Sequence, residues 1–189
     1  MISNDLREVL QPIRRFQIIL WFALTNAIIL YLVLAIFLSS GTLGGSPADP
    51  LLRNLFIFAS VAIAIGSFIY WRHTHSDSYI KQILLREIGG EQLSAESRKW
   101  NVKAELDSKL MSLTTFDKQR FALVLALQIP LIINLALNES IAIFGLVGAL
   151  LDKDFFFILP FVAAAIALNC VMFPRLDSLL ERTERWRTG

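Results

Sequence analysis

Four stretches of the chain are almost free of charge. Residues 16–38 and 155–173 carry none, 51–71 carries only Arg53, and 121–151 carries only Glu139. A helix of ~20 apolar residues crosses the ~30 Å hydrocarbon core of a bilayer, so the pattern predicts four transmembrane helices. The first stretch has 23 residues, well beyond the ~7–15 apolar residues of a cleaved leader, and reads as an uncleaved first span. The loop from Ser39 to Pro50 is dense in Gly, Ser and Pro and predicts a short turn-rich connection. The third stretch has 31 residues. As a straight helix it would reach ~46 Å, which requires tilt, an extension into the cytosol or a bend at Pro130. Asp152-Lys153-Asp154 predicts a tight turn before the fourth span.

Between the second and third spans lies the one sizeable polar segment, 73–120. Ser76-Asp77 is placed to cap a helix in which Tyr79, Ile80, Ile83, Leu84 and Ile88 follow a 3.6-residue period, ended by Gly89-Gly90. A second helix is expected from about Ser94 to Leu113. The two would form a helical hairpin at or above the membrane surface, because ~48 residues are too few to bury much of a core of their own.

Composition agrees with the pattern: 55% of residues are hydrophobic and 18% charged, with a mean hydropathy of +0.57. The expected fold class is therefore all-α, a polytopic membrane protein of four transmembrane helices with a helical cytoplasmic loop between the second and third. One cysteine excludes a disulfide scaffold, and Cys170, inside the last apolar run, is expected to pack as a small hydrophobe. The net charge of +2 suggests no nucleic-acid partner.

The placement of the basic residues says more than their balance. Three Lys or Arg precede the first span, nine run from Arg72 to Arg120, and four lie in the tail, while the two short loops hold only Arg53 and Lys153. The positive-inside rule then puts both termini and the 73–120 loop in the cytoplasm, across an inner or plasma membrane. Tyr70 and Trp71 suit the interface.

Chemistry is sparse. His73 and His75 are spaced i, i+2, diverge on a helix and have no evident further ligand, so no metal is expected. Neither a nucleophile motif nor a Gly-rich phosphate loop is present, which argues against an enzyme and against a cofactor. The exception is Glu139, an ionisable group in an apolar run. Such a group costs ~2.5–3.5 kcal/mol or more at mid-bilayer and marks a functional-site hypothesis by default. Counting back from the Asp152 turn places Glu139 near the bilayer midplane, at the depth of Asn26 on the first span, its expected partner. Gln128 shares the helical face of Glu139, while Asn134 and Asn138 form an i, i+4 pair on a neighbouring face beside Ser140. On the second span Ser60, Ala62, Ala64 and Gly66 recur at every second position, and Ala62 and Gly66 form a small-xxx-small pair suited to helix packing.

The run Glu139-Ser-Ile-Ala-Ile-Phe-Gly-Leu-Val-Gly-Ala-Leu-Leu151 resembles the outer helix of the rotor-ring proteolipid, subunit c, of rotary ATP synthases and V-type ATPases. In that family a mid-membrane carboxylate precedes a segment of this type, so the resemblance implies that Glu139 carries a proton or sodium ion. The small residues of the second span look like a diluted form of the family's glycine-rich inner helix. The resemblance covers about 13 residues well; the long 73–120 loop and two extra spans depart from it.

Two readings follow. One is a non-enzymatic accessory or scaffold subunit in the lipid bilayer, bound to a membrane-protein partner or to further copies of itself. The other is a proteolipid-like ion-handling subunit working through Glu139.

Overall fold

The computed structural model describes residues 3–39, 50–85 and 105–188. The expected loop 40–49, the Gly89-Gly90 helix stop and the start of the second loop helix near Ser94 lie outside the described residues. Among the described residues the chain is all-helical. The elements are α1 (Asn4–Ser39), α2 (Pro50–Thr74), α3 (Asp77–Leu84), α4 (Glu105–Ser112), α5 (Thr115–Ala126), α6 (Gln128–Asp152), a 3₁₀ turn (Phe155–Ile158), α7 (Leu159–Val171) and α8 (Leu176–Thr188).

Three helical stretches are long and apolar enough to cross a membrane: Asn4–Leu38, Pro50–Thr74 and Thr115–Asp152. The fourth expected span is shorter. Its 3₁₀ turn of 4 residues and α7 of 13 together reach roughly 27 Å, and Phe155–Val171 qualifies only when joined to Leu176–Trp186 across a 42° bend.

The chain forms two compact units. One comprises Met1–Ile19, His73–Pro130 and Pro174–Gly189, the other Leu20–Arg72 and Leu131–Phe173. In the first unit, Leu6, Val9, Leu10 and Ile13 of α1 fall at i, i+3, i+4 and i+7 and line one face. They pack with Leu110, Leu113, Phe121, Val124, Leu125, Leu176 and Leu180 into a single core. A second cluster joins Ile80 and Ile83 of α3 to Leu123 and Leu127. Ser76 caps α3 as its sequence suggests, accepting from the Tyr79 N–H. Thus the polar segment does not stand alone: the chain's two ends supply the apolar surface it lacks, and α5 is buried on all sides from Phe121 to Leu125.

Within Thr115–Asp152, a single stretch apolar enough to cross a membrane, that burial sets the first part apart. Residues 121–130 belong to the first unit, and the helix breaks at Leu127 rather than bending at Pro130. The cause is still Pro130. Its ring would clash with the carbonyl four residues earlier, and it offers no N–H. That residue is Ala126, where α5 ends, and Pro130 is accommodated in the first turn of α6.

In the second unit, Ile28 and Ala35 of α1 pack with Ile141, Ala142 and Ala149 of α6 and with Phe157, Ile158, Phe161, Val162 and Ala165. Its outward side chains are apolar as well, with Phe37 and Phe58 74% and 75% exposed. An apolar exterior around an apolar core suits a lipid solvent. α6 ends in a Schellman-type turn: Lys153 adopts φ 53°, and the Asp154 N–H donates back to the Ala149 carbonyl at 3.1 Å. The Asp154 carboxylate then caps the 3₁₀ turn by accepting from Phe156 N at 3.0 Å.

Close packing in this unit falls on other residues than the sequence pattern suggests. Ala62 and Gly66 are exposed, and a Cβ on Gly66 would meet nothing within 4 Å, so among the described residues no helix packs on the pair. The glycines that matter are Gly145 and Gly148 on α6. A Cβ on Gly145 would lie 2.6 Å from Phe161 Cβ, and one on Gly148 would strike the Phe157 ring. Cys170 is exposed rather than packed.

Candidate functional site

α6 presents Asn134 and Asn138 one turn apart, and both are fully buried within the second unit. Ser67 of α2, also fully buried, donates its hydroxyl to Asn138 Oδ1 at 2.8 Å and has Asn134 Oδ1 as a second acceptor at 3.2 Å. The Asn138 amide donates to Asn169 Oδ1 of α7 at 2.9 Å, with Met172 Sδ at 3.3 Å beside it. The Asn169 amide in turn donates to Thr25 Oγ1 of α1 at 3.2 Å, and Trp21 Nε1 donates to the Asn169 carbonyl at 2.8 Å. The result is a head-to-tail chain of donors, Ser67 to Asn138 to Asn169 to Thr25, that touches α2, α6, α7 and α1 in turn.

Such a chain has a physical logic in an apolar setting. Each amide and hydroxyl would be costly to bury alone, and each is satisfied by a side chain from another helix. The bonds therefore select one arrangement of the four helices.

Glu139 lies next to this chain but points elsewhere. It accepts from Tyr31 Oη of α1 at 2.6 Å, is half-buried, and has no other partner for its second oxygen among the described residues. The expected pairing with Asn26 is not formed. Asn26 is exposed and donates to its own helix, to the Phe22 carbonyl at 2.8 Å. Equal depth is not enough, because Asn26 and Tyr31 are five residues apart and face ~140° away from each other on α1.

Ser140 likewise bonds its own helix, to the Ala136 carbonyl at 2.9 Å. Gln128 is fully buried in the first unit, with neither side-chain polar atom partnered among the described residues, and takes no part in the Glu139 site. Of the polar residues marked in the sequence, Asn134 and Asn138 belong to the cluster. Ser67, Asn169 and Thr25 were missed. Asn169 carried a usable signal, a lone amide in the fourth apolar run, and it lies on the same helical face as Val162 and Ala165 of the core.

The two histidines turn to different neighbours. The His73 ring lies 5.7 Å from that of Tyr79, and His75 Nδ1 is 3.2 Å from Thr74 Oγ1. Among the described residues no three His, Cys, Asp or Glu side chains are grouped to hold a metal ion.

The first unit contains a second buried polar centre. Arg120 is 1% exposed. It donates to Thr183 Oγ1 at 3.0 Å and to the Leu180 carbonyl at 3.3 Å, pairs with Glu184 and with Asp117 at 3.5 Å, and stacks over the Phe116 ring at 4.4 Å. It ties α5 to α8.

Fold and sites together define a protein that is all-helical among the described residues, whose long apolar helices are compatible with membrane insertion and which holds two buried polar centres that join helices. No protein-family model matches the chain, and no curated protein or solved structure matches it either.

Proposed function

We propose that this protein is a non-enzymatic scaffold or accessory subunit of a membrane complex, held in a four-span arrangement by the Ser67–Asn138–Asn169–Thr25 chain. The observation that carries the reading is that this chain is fully buried from Ser67 through Asn169, hydrogen-bonded at each step and shared among four helices. A polar network of this kind fixes one packing. The four spans are the apolar stretches of α1, α2 and α6, with the 3₁₀ turn and α7 as the fourth.

Orientation is part of the proposal. Of the 18 Lys and Arg, only Arg53, Arg72 and Lys153 fall in the second unit, which leaves 15 in the first. The unit built from the N-terminus, the 73–130 segment and the tail is thus the basic one, which supports a cytoplasmic face for both termini of an inner- or plasma-membrane protein. The partner is another membrane protein or a second copy. Ala62 and Gly66, uncovered among the described residues, offer a face on which a foreign helix can approach closely.

Substitution separates this reading from ion handling. Asn138→Ala takes away the donor to Asn169 Oδ1 and leaves Ser67 its longer bond to Asn134, and should cost about 1–3 kcal/mol. The loss would show as a lower midpoint of unfolding in detergent or bilayer discs. Glu139→Gln keeps an acceptor for Tyr31 and should leave stability and assembly near wild type.

The second reading has one observation in its favour, the unpartnered oxygen of a half-buried Glu139, as the resemblance to the rotor-ring proteolipid also suggests. It requires Glu139→Gln to abolish a proton or sodium flux in proteoliposomes. Wild-type vesicles with no flux, or flux that survives the substitution, would remove it.

A further inference from the structure

A cleft of about 380 Å³ opens on the second unit between α2 and the 3₁₀ turn with α7. On α2 it is lined by Arg53, Ile57 and Ser60, and on the other wall by Asp154, Phe157 and Ala164. Its volume lies within the ~300–1,000 Å³ of small-ligand sites, and its walls are apolar except at two levels. At one end stand Arg53, whose guanidinium sits 5.1 Å over the Phe157 ring, and Asp154. Two helical turns further along α2, roughly 10 Å, is Ser60. Ser60 is 4% exposed and its hydroxyl has no hydrogen-bond partner among the described residues.

A charged mouth, a lone buried hydroxyl and an apolar trough match the parts of one kind of molecule in order. Phosphate would pair with Arg53, an ester carbonyl would accept from the Ser60 hydroxyl, and an acyl chain would fill the trough. The headgroup follows from charge. Arg53 is already 3.9 Å from the Asp152 carboxylate, and Asp154 uses one oxygen on the Phe156 N–H, leaving the other for a donor. A headgroup of net negative charge would meet two carboxylates, whereas a phosphate followed by a primary ammonium satisfies Arg53 and Asp154 together.

We propose that this cleft holds one glycerophospholipid with a phosphate-plus-ammonium headgroup, as in phosphatidylethanolamine. The site rests on the membrane reading above, and the experiment separates the two. Protein is reconstituted in vesicles of phosphatidylethanolamine mixed equally with phosphatidylglycerol, floated on a density gradient, extracted in mild detergent and weighed by native mass spectrometry. Failure to float would overturn the membrane reading itself.

If the protein floats, about one retained phosphatidylethanolamine per chain is expected, with roughly five-fold or greater preference over phosphatidylglycerol. Arg53→Ala and the cleft-filling Ala164→Phe should each abolish retention, Ser60→Ala should weaken it several-fold, and Asp154→Asn should erase the headgroup preference. Retention of no lipid, equal retention of both headgroups, retention unchanged in Ala164→Phe, or dimers whose contact occupies the cleft would each overturn the proposal. Monitoring the unfolding midpoint of every variant keeps misfolding from being read as lost binding, and Ser60→Ala, the mildest change, decides if the others fail to fold.

Discussion

Arg120 shows how much one residue can carry when its context is tertiary. In the sequence it is one more cation of a basic loop; in the structure it is among the most deeply buried side chains, engaged with Asp117, Glu184, Thr183 and a backbone carbonyl. Removing one member of a buried ion pair leaves the others uncompensated, and Arg120→Ala should therefore cost about 3–5 kcal/mol. Denaturant unfolding would measure it. Combining Arg120→Met with Asp117→Asn and Glu184→Gln should recover much of the loss, because the triple variant leaves no unpaired charge. No recovery would mean that packing over Phe116, not charge, explains the effect. Asn26 and Tyr31 make the complementary point. Residue type and depth marked Asn26 for Glu139, but the direction of the side chain on α1 gave the bond to Tyr31.

At the scale of elements, hydrophobic patterning located the apolar helices, left the tail helix α8 unmarked and misjudged which surfaces the helices use. The cap of α3 at Ser76 and the turn after Asp152 were legible, since each depends on neighbours in sequence. Helix packing was not, because small residues permit a close approach without saying from which side another helix comes. Gly66 and Gly145 provide the test. Gly66→Ala, into open space, should stabilise the helix by about 0.5–1 kcal/mol. Gly145→Ala would drive a methyl against Phe161 Cβ and should cost about 1–3 kcal/mol by overpacking. Thermal unfolding of the two variants in one detergent compares them directly. The same sign for both would refute the assignment of the α6 glycines to the close contact.

For the whole molecule, the number of crossings is the property to establish. If the 3₁₀ turn and α7 cross the membrane, the two termini share a side; if they do not, the tail lies opposite the N-terminus. Single cysteines at Ser3, Lys153 and Arg185 in a Cys170→Ser background, labelled with a membrane-impermeant maleimide in sealed vesicles of both orientations, distinguish the cases. Ser3 and Arg185 should label from the cytoplasmic face and Lys153 from the other. Labelling of Ser3 and Arg185 from opposite faces would leave three spans.

The helical class and the run of apolar stretches follow from the sequence alone, because burial in lipid or in a core demands contiguous or periodic apolar residues that can be read along the chain. So does the grouping of basic residues outside those stretches. Only the tertiary structure shows that α1 up to Ile19, the helices α3 to α5 and α8 make one unit with its own core, that Asn138 meets Ser67 and Asn169, and that Ser60 faces a cleft. Those contacts join residues from 31 to over 100 positions apart. They depend on how helices rotate and dock, and periodicity within one helix leaves that rotation open.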